Sequence, residues 1–92
     1  MNNKQQDIAI DVGLEIRCAR LDADLTQTQL AKRLGTKQPS GARAERGRVL
    51  ASIPFLARIA KATDHTLVIT LLPKDERITS KNTFTSELTL SL

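Results

Sequence analysis

Two side chains near the middle of this chain stand out for what they could bind. Gln38 carries an amide whose oxygen accepts and whose nitrogen donates, the pair that fits N6 and N7 of adenine in a bidentate contact. Arg43, five residues on, carries a donor fork suited to guanine O6/N7 or to a phosphate. Lys37 and Ser40 flank this pair, and Arg46 and Arg48 follow it. From Lys32 to Lys61 there are many bases and a single acid, Glu45. With a net charge of +4, such a chain favours polyanionic partners, although basic surfaces are also common on domains that bind no nucleic acid. For Lys32, Arg33, Arg58 and Lys61 the simplest reading is a solvated face.

Other chemistry lacks its reagents. The single cysteine, Cys18, forms no intramolecular disulfide, and with one histidine, His65, there is no set of usual metal ligands. Cys18 reads as a small core residue and His65 as a turn residue. No nucleophile stands with a base and an orienting carboxylate, so an enzyme is not expected, nor a cofactor. No apolar run approaches the ~20 residues of a membrane span, and residues 1–6 are polar, without a signal segment. The expected protein is soluble and cytoplasmic, associated with the nucleoid if it binds DNA.

The elements that position these residues follow from periodicity and caps. Residues 1–6 are expected to be disordered. Ile8, Val12, Ile16 and Ala19 recur at helical spacing, widened by Leu14, Cys18, Leu21 and Leu25, which predicts a helix over 7–22 that Gly13 weakens. Thr26 with Gln29 forms a capping-box pattern for a second helix, with Leu30, Ala31 and Leu34 inward and Gly35 ending it. Thr36 is expected to cap a third helix over 37–46, with Pro39 in its first turn and Gly47 at its end. Ser52 caps a fourth, on which Ile53, Leu56, Ile59 and Ala60 line one side, before a turn at Asp64-His65. Residues 66–72 are rich in β-branched types and stop at Pro73, which predicts a strand. Phe84, Leu88, Leu90 and Leu92 alternate with polar residues and predict another.

A helix, a turn centred on Gly35 and a second helix make a helix-turn-helix layout, in which the second helix enters the DNA major groove; an ordinary helical hairpin shares that spacing. In that layout Gln38 lies at the N-terminal end of the recognition helix, where side chains reach base edges. Thr26 and Gln27 open the preceding helix, where backbone amides receive a phosphate.

The residues from Leu25 to Gln38 resemble the Cro/phage-repressor-like (XRE) family, whose pattern is Leu-Thr-Gln-x-x-Leu-Ala-x-x-Leu-Gly-x-x-Gln, followed here by Arg43-Ala44-Glu45-Arg46-Gly47. The resemblance covers about residues 14–64. It implies a mostly α, lambda-repressor-like bundle of four to five helices over 7–64. It also implies that Arg43 faces the groove and that Glu45 pairs internally with Arg20, the alternative being an exposed Glu45 near Arg46; Arg46 and Arg48, past the third helix, are expected on the sugar-phosphate backbone. The sequence departs from the pattern at Gly41, where the family usually has Val or Ile, and at Ala44, where a larger apolar residue is common. Both would leave space beneath the recognition helix. Asp24 stands where the family often has Gly, and Asp tolerates a left-handed turn.

Residues 65–92 are expected to form a C-terminal strand or small sheet. Because a lone strand needs a partner, Leu67, Val68, Ile69, Leu71 and Leu72 are candidates for a two-fold dimer interface. The Leu-Val-Ile-Thr-Leu-Leu-Pro stretch after the last helix is similar to HigA-like and HipB-like antitoxins. That similarity implies a homodimer on a palindromic double-stranded operator that represses its own operon and binds a cognate toxin. The alternatives are a stand-alone phage or plasmid regulator and an interaction module without DNA binding.

Overall fold

The computed structural model describes residues 2–74, and these form four helices. The first, α1, spans Asn3–Asp22. It starts earlier than the apolar stripe predicts because Asn2 builds a capping box. Its side chain accepts from the Gln5 amide at 2.8 Å, and the Gln5 side chain accepts from the Asn2 amide at 3.2 Å. Residues 3–6, expected outside the folded domain, are thus the first turn of α1.

α2 spans Gln27–Leu34, α3 Gln38–Glu45 and α4 Ile53–Ala62. Thr26 and Gln29 form the expected capping box, with bonds of 3.0 and 2.8 Å. Ser52 Oγ accepts from the Phe55 amide, as its cap position predicts. Thr36 does not cap α3. Lys37 holds the cap position without a side-chain bond, and the Thr36 hydroxyl turns to the Lys37 carbonyl at 3.4 Å. Pro39 falls in the first turn of α3, right after Gln38, where its missing N–H costs little.

All four helices stop in the same way. Asp24, Gly35, Gly47 and Asp64 take φ of 61°, 69°, 72° and 58°, and the next residue's amide bonds back to a carbonyl of the last turn. These left-handed stops make the connections short and pack the helices around one core. That core is Ile16, Leu25, Leu30, Leu34, Ala44 and Ile59, with Val12, Ala23, Ala51, Phe55, Leu56 and Ala62 against it.

Gly13 does not weaken α1; it lets α3 approach. Ala9, Gly13, Ile16 and Arg20 form the buried side of α1. A Cβ on Gly13 would lie 2.5 Å from the Ala44 carbonyl oxygen and 2.6 Å from that of Glu45. The C-terminal turn of α3 therefore rests directly on the α1 backbone. Gly47 makes a similar contact, since a Cβ there would meet Ile10 at 2.6 Å.

Several core expectations are corrected. Cys18 is exposed, and Leu14 and Leu21 are 52% and 55% exposed, because they lie beside the buried side of α1 rather than on it. Gly41 leaves no enclosed void: it is half-buried, and no atom lies within 4 Å of a Cβ built there. Arg33 and Arg58 are not simply solvated. Arg33 donates to the Ala62 carbonyl at the end of α4 at 3.0 Å, and Arg58 donates to the Leu34 carbonyl at the end of α2. Each guanidinium thus satisfies an orphan carbonyl of the other helix. His65 lies in the turn after α4 with Nε2 3.2 Å from Asp22 Oδ2, tying that turn to the end of α1.

The strand expected at 66–72 is not formed among the described residues. Leu67, Val68, Ile69 and Thr70 are half-buried, whereas Leu71 is 96% exposed. β-branched composition favours an extended backbone, but a strand exists only through a ladder with a second segment. The second expected strand, 84–92, lies outside the described residues.

Candidate nucleic-acid interface

The site begins with the ion pair between α1 and α3. Arg20 Nε donates to Glu45 Oε2 at 2.7 Å and Nη2 to Oε1 at 3.1 Å, a two-pronged contact. Nη1 donates to the Leu25 carbonyl at 2.8 Å, so the guanidinium also holds the turn between α1 and α2. The two side chains are only 10% and 4% exposed. The pairing that the family resemblance implies is therefore present and internal.

Its electrostatic consequence is direct. Glu45 is the only acid between Lys32 and Lys61, and it is buried against a cation. The surface carrying Lys37, Arg43, Arg46 and Arg48, all exposed, meets no exposed carboxylate within that stretch of chain. A phosphate approaching these side chains meets no exposed carboxylate from α3 or the turns that flank it.

Gln27, in the first turn of α2, donates from Nε2 to Glu45 Oε1 at 3.2 Å. Its Oε1 accepts from Gln38 Nε2 at 3.0 Å. The two glutamines thereby link the start of α2 to the start of α3, and Gln38 stands exposed at the outer end of the chain of bonds. Sequence reasoning placed both residues at helix starts but missed their contact. The available signal was two amide side chains at the starts of helices joined by a tight turn.

The remaining expected residues divide by position. Ser40 and Arg43 lie on the exposed side of α3, opposite buried Ala42, Ala44 and Glu45. Arg46 and Arg48 flank the turn that ends α3. Thr26 is exposed, and its hydroxyl and amide are both engaged with Gln29. The amides of Gln27 and Thr28, in the first turn of α2, have no intrahelical acceptor and point out of the helix start. Leu67, Val68, Ile69, Leu71 and Leu72 lie after α4 in a segment without regular secondary structure, away from these residues in the chain.

Residues 11–66 match a protein family described as a helix-turn-helix domain. The chain belongs to this helix-turn-helix family. The family is of the Cro/XRE type, and its domain is that of a DNA-binding regulator. The match spans all of α2, α3 and α4 and the part of α1 that carries Gly13 and Arg20. No curated protein matches the chain. Among the described residues, no helix is long and apolar enough to cross a membrane.

Proposed function

We propose that this helix-turn-helix protein is a sequence-specific transcriptional repressor that binds its own promoter through α3. The observation that carries this reading is the Gln27–Gln38 amide pair, anchored on the buried Arg20–Glu45 pair and set at the start of α3 within a surface of cations. In this reading Gln38 reads adenine, Arg43 reads guanine or grips a phosphate, and Ser40 and Lys37 contact the groove edge. Thr26, Gln27, Arg46 and Arg48 position the protein on the sugar-phosphate backbone without reading sequence. Occupying the promoter excludes polymerase, and the protein works by binding rather than by catalysis.

The same proposal extends to assembly. A palindromic operator calls for two copies, and the apolar segment 66–72, with Leu71 turned to solvent, supports pairing with a second copy. The exposed Leu14 and Leu21 on α1 support a protein partner. With the antitoxin-like character of 66–72, this favours a toxin encoded in the same operon.

Selection of duplexes from a random pool tests the DNA reading. Gln38→Ala is expected to cost ~1–3 kcal/mol on the selected duplex and to relax preference at one base pair. Gln27→Ala is expected to weaken selected and unrelated duplexes as well. If Gln38→Ala selects the same site as the parent protein, α3 is not the reading helix.

A further inference from the structure

We infer that the outer face of α1 docks a helix of a partner protein that carries an apolar ridge with basic side chains along one flank, and that DNA stays bound while it does so. This rests on the reading of the protein as a DNA-bound regulator with a protein partner, and it names the surface and the chemistry of that partner. Asp7, Asp11, Leu14, Cys18 and Leu21 follow one another at steps of four, three, four and three residues. Those steps keep them in one narrow line along a helix, the spacing of a seam between packed helices. All five are exposed, Leu14 and Leu21 by more than half. They lie on the opposite side of α1 from buried Ala9, Gly13, Ile16 and Arg20, so among the described residues no other element covers them.

Charge selects the occupant. Asp7 and Asp11 stand in the line, and Glu15, one turn on from Asp11, lies beside it; all three are exposed. Asp22 is exposed too but is engaged with His65. Lys4 lies one turn before Asp7, and Arg17 lies on the other flank of Leu14 and Leu21. The partner's bases must therefore run along the side of Asp11 and Glu15, away from Arg17. Such a face repels phosphate. A second α1 does not supply the complement. An antiparallel pair lays the acidic flank against itself, and a parallel pair sets Asp11 against Asp11. The same geometry keeps the face clear of DNA. α3 turns Ala44 and Glu45 toward α1, where their carbonyls meet Gly13, and leaves Ser40 and Arg43 exposed. The two outer faces point away from each other across the α1–α3 contact.

The probe is a synthetic helical peptide with a leucine ridge at the same spacing, lysines along one flank and glutamines along the other. Its control carries glutamates in place of the lysines. Binding to the full chain is followed by fluorescence anisotropy of the labelled peptide. The lysine peptide is expected to bind roughly tenfold more tightly than the glutamate peptide, and Asp11→Lys to remove that difference. Leu14→Gln and Leu21→Gln, both on the exposed side, are each expected to weaken the lysine peptide roughly tenfold, because a leucine is no longer buried on docking. A lysine peptide that binds these variants as it binds the parent protein is held by charge elsewhere on the molecule, and that outcome overturns the inference. Equal binding of the two peptides overturns it as well. So does a Leu14→Gln change that converts a dimer to a monomer in sedimentation, which gives the face to a second copy. For simultaneous binding, a polyethylene glycol maleimide is attached to Cys18, the single cysteine, which is exposed in the line. Affinity for a duplex selected from a random pool is expected to be unchanged, and loss of that affinity would show that DNA and a partner cannot share the protein. If the unmodified chain selects no duplex, the DNA reading fails, and the peptide measurements alone decide the docking surface.

Discussion

At the scale of single residues, the decisive feature is a carboxylate in the wrong place for a DNA-facing segment, made harmless by burial. Removing Glu45 would strand Arg20 with one carbonyl partner and leave Gln27 without its acceptor. Glu45→Ala is expected to cost ~3–5 kcal/mol, the loss typical of breaking one side of a buried pair. Thermal melting measures it, and melting like the parent protein would mean the pair adds nothing. The pair was legible in the sequence because Arg20 and Glu45 hold the positions that the family resemblance connects. The Gln27–Gln38 bond was not. Gln27 reads locally as the first residue of a capped helix, and nothing in that local pattern shows its amide reaching across to α3.

Helix starts and stops were the most legible level of element structure, because a cap is a local event. Thr26 with Gln29, Ser52, and the left-handed Gly35 and Asp24 behave as their types predict. Asn2 with Gln5 carries the same capping signal but was read as disordered, since no apolar stripe follows it at once. Helix-to-helix distance was not legible at all. Gly13 and Gly41 look alike in sequence, two glycines inside helices, and they have opposite roles. Gly13→Ala would place a methyl 2.5–2.6 Å from two backbone oxygens that cannot move aside. Overpacking of ~1–3 kcal/mol is expected to outweigh the ~1 kcal/mol gained in helix propensity, lowering the melting temperature. Gly41→Ala meets no atom within 4 Å and is expected to gain up to ~1 kcal/mol. The two variants measured side by side check the account of α3 packing: a stabilised Gly13→Ala would mean that α1 and α3 are not in close contact.

At the scale of the whole molecule, the proposed pairing of two copies rests on the segment after α4. The strand expected at 66–72 from its apolar, β-branched composition is not formed among the described residues, because composition is local whereas a ladder needs a second segment. Leu71 makes the proposed interface testable. It is 96% exposed in the single chain, so Leu71→Asp is expected to leave melting of an isolated domain nearly unchanged. If copies pair through 66–72, the same change buries a charge at the interface, and sedimentation is expected to shift from dimer to monomer. A dimer that survives Leu71→Asp would place the interface on the helices. Binding to DNA is also expected to weaken steeply with salt, as cations on the α3 surface release counterions.

The central claim is that Gln38, held by Gln27 and Glu45, reads an adenine in the major groove. The most direct measurement replaces that adenine with 7-deazaadenine, which lacks the N7 acceptor and keeps Watson–Crick pairing. Affinity of the parent protein is expected to fall several-fold on the substituted duplex, within the ~1–3 kcal/mol of a full bidentate contact. Gln38→Ala is expected to bind the two duplexes equally. An equal loss in both proteins would contradict the claim, because the missing nitrogen would then matter to some residue other than Gln38.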